Sequence, residues 1–254
     1  MKYVDNDVAA IVLAAGLGTR MRSQTAKVLH KISGRPMILY VLETARKVVG
    51  DNVVLVIGHQ AEKVRQIVSR HAMVTYAVQE KQLGTGHAVL TALPHLKPSI
   101  RQVLILYGDV PLLMPQTILK LLDDHITFRR DISLLGVELS NPYGYGRLLF
   151  DENGHLLKVV EETDATEHQR QIKTINAGIY CAKKESLHAT LHQTGMRNAQ
   201  GERYLTDIIE FGNKMGMDIG VVFAKDSEEI IGINTLEELE KVETIMQKRL
   251  SKSS

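Results

Sequence analysis

Five short apolar runs, at residues 8–13, 53–57, 73–78, 103–106 and 132–137, are separated by segments long enough to be helices. Helical patterns occupy 36–48, 61–69, 85–93 and 115–122. Strands that alternate with helices imply right-handed crossovers and an α/β fold, with a mostly parallel sheet covered on both faces. The pattern changes after about residue 140. Residues 147–150 and 155–160 flank Asp151-Glu152-Asn153-Gly154, which has the composition of a hairpin turn, and 172–181 and 219–223 are further strands. The half-boundary falls near Leu113 or Pro142, with no linker composition, so one domain (1–254) of two lobes (about 1–113 and 114–233) with a cleft between them is expected. The final helix, about 235–250, opens on a capping box, Thr235 to Glu238, followed by an apolar stripe of Leu236, Leu239, Val242 and Met246.

Composition narrows the class. The 254 residues are 44% hydrophobic and 24% charged, ordinary for a globular protein with a full core. A formal net charge of +2 is too small to argue for nucleic acid or an anionic membrane, neither of which is expected as a partner, and local basic clusters must carry any phosphate recognition. The single cysteine, Cys181, lies in an apolar run, which excludes an internal disulfide and predicts a buried structural thiol. No membrane-length apolar segment and no leader pattern occur, so a cytoplasmic location is expected. His188 and His192 share a helix face but lack a third ligand, which suits a solvated surface better than zinc.

The chemistry concentrates in three loops that follow strands. Residues 13–27, Leu-Ala-Ala-Gly-Leu-Gly-Thr-Arg-Met-Arg-Ser-Gln-Thr-Ala-Lys, form a glycine-rich turn followed by Arg20, Arg22 and Lys27. Glycines let a backbone approach an anion closely and expose its N–H groups. A dinucleotide fingerprint would need glycine where Met21 stands, and a P-loop would need Gly-Lys-Ser or Gly-Lys-Thr, which is absent. Asp109, in Tyr107-Gly108-Asp109-Val110-Pro111, follows a strand and would face the ligand crevice, where a lone carboxylate suits Mg²⁺. Gln79 ends another strand, and Gly84-Thr85-Gly86 opens a helix beside it. The Gln79 amide offers a donor and an acceptor and can flip, so alone it would accept uracil or cytosine. Asn234 precedes the last helix cap, a rigid place for a ligand, while 174–178, 198–207 and Glu161 add polar groups suited to sugar hydroxyls.

Taken in order, segments 13–27, 79–88, 107–113, 144–147, 175–179, 198–207 and 232–234 resemble the sugar-1-phosphate nucleotidyltransferases, and among them the bacterial N-acetylglucosamine-1-phosphate uridylyltransferases. The resemblance spans nearly the whole chain and implies their Rossmann-like nucleotidyltransferase fold. It also implies that UTP and N-acetylglucosamine 1-phosphate are the partners, giving UDP-N-acetylglucosamine and pyrophosphate with Mg²⁺ as cofactor. By the same resemblance Arg20 and Lys27 hold the triphosphate, Gln79, Gly84 and Thr85 the uracil, and Asp109 and Asn234 the metal. Gly146, Glu161, Asn176, Tyr204 and Thr206 would line the sugar pocket, with Leu13, Ala14, Ala15, Gly16, Tyr107 and Gly108 as further substrate contacts. The chain departs from the family pattern at Ala26, where a proline is usual and the loop entry is expected to be less rigid. Thr163 replaces a common lysine, and Arg203 a frequent aromatic residue. The hexapeptide β-helix that carries an acetyltransferase in these relatives does not occur within the 254 residues, so that second activity is not expected of this chain, and oligomeric state stays open. Two alternatives stand beside this expectation: another sugar-1-phosphate specificity, such as glucose 1-phosphate, and a non-catalytic nucleotide-sugar binding module.

Overall fold

The computed structural model describes residues 7–196 and 198–252. Strand β1 (Val8–Ala14) leads through a long loop to β2 (Lys31–Ile32) and β3 (Arg35–Pro36). Then come α1 (Met37–Val49), β4 (Val53–Ile57), α2 (Ala61–Val68), β5 (Thr75–Val78) and α3 (Thr85–Ala92). The alternation ends with β6 (Gln102–Tyr107), α4 (Pro115–Thr127) and β7 (Ile132–Glu138). A hairpin of β8 (Arg147–Phe150) and β9 (Leu156–Val160) follows, then α5 (Glu167–Arg170) and β10 (Thr174–Lys183). The chain closes with α6 (Lys184–Gln193), α7 (Asp207–Lys214), β11 (Ile219–Phe223) and α8 (Leu236–Lys252).

The main sheet has the order β11-β7-β10-β6-β1-β4-β5, with β8 beside the start of β10 and β9 beside β8. Neighbours are parallel except β10, which is antiparallel to both β6 and β7, and the β8–β9 hairpin with its pairing to β10. Every residue of β1 is buried. Its side chains alternate between two cores: Val8, Ala10, Val12 and Ala14 face one, and Ala9, Ile11 and Leu13 the other. The first core is closed by α1, α4 and α8, the second by α3, α6 and α7. A strand covered on both faces has no polar side to show, which explains the unbroken apolar run.

The apolar pattern missed the β2–β3 hairpin and helices α5 and α7, and it ended α4 early. The β2–β3 hairpin turns on Ser33 and Gly34, with φ of 47° and 80°. It is fastened to α8 by Ser33, whose N–H and hydroxyl donate to the Glu243 carboxylate at 2.7 and 2.9 Å. Helix α4 runs five residues past its expected end at 122, reaching Thr127. The extension buries His125, bonded to Ser133 and Gln102 at 2.9 and 3.0 Å, so a polar residue does core work there. Burial and then the Lys183 charge push the His125 ring down to about 4, keeping it neutral.

Because β1, β4, β5 and β6 are parallel, their carboxyl ends share one edge of the sheet. The antiparallel β10 brings its beginning to that same edge, since Tyr180 pairs with Ile105 and Lys183 with Gln102. Ile175 pairs with Arg147, which pairs in turn with Val160, so Gly146, Glu161 and Asn176 meet there as well. The second half thus completes the first half's sheet. Cys181 is buried in it, as expected, and burial raises its thiol far above the ordinary range. Among the described residues no helix is long and apolar enough to cross a membrane.

Candidate active site

The carboxyl edge opens into a cleft of about 540 Å³. Leu13, Ala14, Ala15, Gly16, Arg20, Lys27, Gln79, Gly84, Thr85, Tyr107, Asp109, Gly146, Glu161, Asn176 and Asn234 all line it. Gly108, Tyr204 and Thr206 do not. Gly108 packs behind the wall, where an added Cβ would meet the Ile38 side chain at 2.8 Å and the Leu13 carbonyl at 3.1 Å. Arg22 is exposed and also stays out of the lining.

At one end of the cleft four side chains converge. The Lys27 ammonium donates to Asp109 Oδ2 in a short ion pair and to Asn234 Oδ1 at 3.0 Å. Arg20 Nη2 donates to the same Asn234 oxygen at 3.0 Å. Local structure explains the convergence. Gly18 has φ 64°, and a Cβ on it would lie 2.7 Å from Lys27 Cβ, so only glycine lets this loop fold onto the lysine. The Asp109 carbonyl accepts from the Ile233 N–H at 2.9 Å, tying the two acidic and amide segments together. The predicted capping box is formed: Thr235 Oγ1 accepts from the Glu238 N–H at 3.2 Å, and Glu238 Oε2 accepts from the N–H groups of Asn234 and Thr235 at 2.6 and 2.9 Å. Asn234 is therefore held at its backbone, as the cap position suggests.

Asp109 Oδ2 and Asn234 Oδ1 both reach one nitrogen, so they point at a common spot where a small cation fits. Hard oxygen donors suit Mg²⁺, which keeps several waters and phosphate oxygens in its shell. Among the described residues no group of three or more His, Cys, Asp or Glu side chains could hold a metal alone. An ion on Asp109 and Asn234 would thus complete its shell with substrate oxygens.

On another part of the lining, Gln79 is 3% exposed. Its Nε2 donates to the Gly84 carbonyl at 3.0 Å and lies 2.9 Å from His87 Nδ1. A carbonyl only accepts, so the amide is held one way round, unlike the freely flipping group expected from sequence. Gly84 has φ 102°, and a Cβ there would lie 2.5 Å from the Arg203 carbonyl. That close approach lets Gly86 N–H donate to the Arg203 carbonyl and Arg203 N–H donate to the Leu83 carbonyl, both at 2.8 Å. The Thr85 hydroxyl accepts from the Leu205 N–H at 3.0 Å. Segment 198–206 therefore clasps the base of α3.

At the far end, Thr206 Oγ1 donates to Glu161 Oε1 at 2.9 Å, from behind the wall. Burial raises the Glu161 carboxyl above its ordinary range, despite the Thr206 bond. Asn176 Nδ2 donates to the Tyr180 hydroxyl at 2.7 Å, and its Oδ1 accepts from Gly178 N–H at 3.0 Å. The β10 register shifts between Asn176 and Tyr180, a bulge of the kind that re-aims side chains at sites. Tyr204 is buried, and burial pushes its hydroxyl up to about 12.

The departures from the family pattern have local explanations. Ala26 is 2% exposed with φ −52° and ψ 132°, so its backbone is already that of a proline and the expected looseness is countered by packing. The Arg203 guanidinium donates to the Leu191 carbonyl at 2.6 Å, capping α6. Thr163 is exposed and donates to Asp164 at 3.3 Å. The lining also includes Gln82, Tyr145, Gly178, Glu202 and Ile230, which were not singled out in the sequence. Gln82, Tyr145, Gly178 and Glu202 lie inside the segments 79–88, 144–147, 174–178 and 198–207. Ile230 carries no sequence signal, because an apolar residue in a short turn looks like core.

The chain matches the family model of the MobA-like NTP transferase domain over residues 10–174. It is 42% identical to the bifunctional protein GlmU of Caldanaerobacter subterraneus subsp. tengcongensis over 245 residues, covering 96% of this chain and 53% of that protein. It is 41% identical to GlmU of Geobacter metallireducens over 246 residues, 97% of this chain and 52% of that protein. Against GlmU of Desulfotalea psychrophila the identity is 40% over 235 residues, 92% of this chain and 69% of that protein. The chain spans about half the length of the first two relatives. A solved structure assigned as a glucose-1-phosphate thymidylyltransferase, from Bacillus anthracis, superposes with a TM-score of 0.73 over 94% of each chain at 16% identity, a likeness of fold.

Proposed function

The chain belongs to the family of MobA-like NTP transferase domains, and on that premise we propose that it transfers the uridylyl group of UTP to N-acetyl-α-D-glucosamine 1-phosphate. The observation that carries the reading is the convergence of Lys27, Arg20, Asp109 and Asn234 at the strand edge that also presents Gln79 and Glu161. The sugar phosphate is an anion near neutral pH, so one of its oxygens attacks the α-phosphorus with no general base. The bond from the α-phosphorus to the bridging oxygen breaks, and pyrophosphate leaves with the electron pair. Catalysis is then alignment plus charge stabilisation.

Each residue has a part in that scheme. Lys27 exchanges its contact with Asp109 for the α-phosphate, and Arg20 offsets charge on the departing pyrophosphate. Asp109 and Asn234 would hold Mg²⁺, which when bound neutralises phosphate charge. Gln79, with Gly84 and Thr85, takes the base. Glu161 and Asn176, at the end lined by Gly146, take hydroxyl and amide groups of the sugar, with Thr206 and Tyr204 supporting the wall. We place the reaction in the cytoplasm, where free UTP is available.

A substrate panel tests this. Pyrophosphate release is measured with UTP, CTP, dTTP and GTP against N-acetylglucosamine 1-phosphate and glucose 1-phosphate, with Mg²⁺ present. Highest kcat/KM for UTP with the N-acetylated sugar is expected. A preference for glucose 1-phosphate would overturn the sugar assignment, and tight UDP-sugar binding without turnover would overturn catalysis.

A further inference from the structure

His87 is the third residue of α3, in the first turn of the helix that begins after Gly84, and its role is not covered by the scheme above. The Gln79 amide nitrogen carries two hydrogens and no lone pair to accept with. One hydrogen goes to the Gly84 carbonyl at 3.0 Å, and the other is directed at His87 Nδ1, 2.9 Å away. That second bond requires Nδ1 to be bare, so the ring is neutral and carries its proton on Nε2. Burial, and then the Arg203 charge, depress the His87 pKa, in keeping with a neutral ring. Turning the amide over would set its oxygen against the Gly84 carbonyl oxygen, and Gln79 is too buried for water to relieve the clash. With both hydrogens engaged, Oε1 is the part of the amide left for a ligand.

We infer that His87 is a positioning residue for base choice: by accepting from Gln79 it presents Oε1 to the cleft as a fixed acceptor. Such a site takes a base with an N–H at ring position 3, the imide of uracil or thymine. It rejects cytosine, whose bare N3 would face another acceptor. The inference rests on the proposed placement of the base at Gln79.

The test compares kcat/KM for UTP and CTP in the wild type, His87→Asn and His87→Leu. Asparagine carries an oxygen near the position of Nδ1 and restores an acceptor, whereas leucine cannot. The wild type and His87→Asn should favour UTP strongly, and His87→Leu should lower the UTP/CTP ratio by about tenfold, the worth of one fixed hydrogen bond. Equal losses for both nucleotides in His87→Leu, with the wild-type preference intact, would overturn the role of His87 and leave the uracil reading standing. No preference for UTP in the wild type would instead overturn the uracil reading and the inference with it. A readout independent of variant folding is ¹⁵N NMR of the histidine rings in the wild-type protein near pH 7.5. The Nε2-protonated tautomer of His87 is expected, and a protonated Nδ1 would refute the lock.

Discussion

The two ends of the cleft hold their polar groups in opposite ways. At the charged end Lys27 donates to both Asp109 Oδ2 and Asn234 Oδ1, and Arg20 donates to the same Asn234 oxygen, so these four side chains are held by one another. At the far end Glu161 and Asn176 are held by residues that do not line the cleft or that belong to the same strand: Thr206, Tyr180 and Gly178. The first set must exchange partners when a charged ligand arrives. The second can meet a ligand without giving up what holds it. Under the proposed reaction the charged groups exchange one another for ligand oxygens before the chemical step, while the groups proposed to meet the sugar are already fixed by the fold.

The most severe way to break the charged end is Asp109→Ala. Under the proposed reaction kcat should fall about a thousandfold, since a metal position and the Lys27 partner go together. The Lys27 and Asp109 side chains are only 17% and 14% accessible, and Lys27 keeps its bond to Asn234, so loss of the carboxylate should cost about 1–3 kcal/mol and leave the fold intact. Pyrophosphate release together with a urea melt checks both statements, and near-normal turnover with Mg²⁺ would sink the assignment. Lys27→Met separates the two duties of that lysine. Turnover should drop about a hundredfold from loss of charge stabilisation. Mn²⁺ should nevertheless bind the free protein more tightly, because the ammonium no longer occupies the two oxygens. Electron paramagnetic titration reads the second effect, and weaker Mn²⁺ binding would show that Lys27 organises the site rather than competing for it.

The charged end was also the more legible one. Arg20, Lys27, Asp109 and Asn234 each sit in a local signature, a glycine turn after a strand, a strand end or a helix cap, so local rules located them. The far end depends on pairing. Gly146, Glu161 and Asn176 meet because β8 pairs with both β9 and β10, and because β10 enters the sheet antiparallel between β6 and β7. Apolar periodicity says which segments are strands and nothing about their order. The same limit explains Gly108, Tyr204 and Thr206. Their motif membership is real, but a motif residue can serve the wall as well as the ligand, and only the packing of Gly108 on Ile38 or of Thr206 on Glu161 tells them apart. Helix α4 outran its apolar stripe for a related reason, since its last buried residue is a histidine bonded to two neighbouring strands.

The support behind the far end carries its own strain, which pH exposes. Burial, then the Glu210 and Asp164 charges, raise the Asp207 carboxyl from 3.8 to about 6. A carboxyl with a higher pKa folded than unfolded keeps its proton in the native state while the unfolded chain has lost it. Its contribution therefore falls as pH rises from about 4 to about 6 and is level above that. Asp207→Asn removes the ionised form and should stabilise the protein by about 2 kcal/mol at pH 8. The gain should vanish below about pH 4, where both states hold the proton. Urea melts at the two pH values decide it, and an equal offset at both would assign the effect to packing instead of charge.

The smallest expected effect tests whether the charged end is held by its loop or only by its ion pairs. Ala26 has φ −52° and ψ 132°, and among the described residues its N–H donates to no partner. Ala26→Pro should therefore fit without strain and restrict the unfolded chain, adding about 0.4–1 kcal/mol. In a chain of this size that is a rise in Tm of about 1–4 °C. The proline lies next to Lys27, so kcat should stay within about twofold if the loop already has its working shape. A stabilised protein with unchanged turnover would mean that packing of the buried Ala26 side chain has already fixed the loop. A stabilised protein with slower turnover would mean that Lys27 needs loop movement to pass from Asp109 to the phosphate, and the exchange at the charged end would then involve backbone as well as side chains.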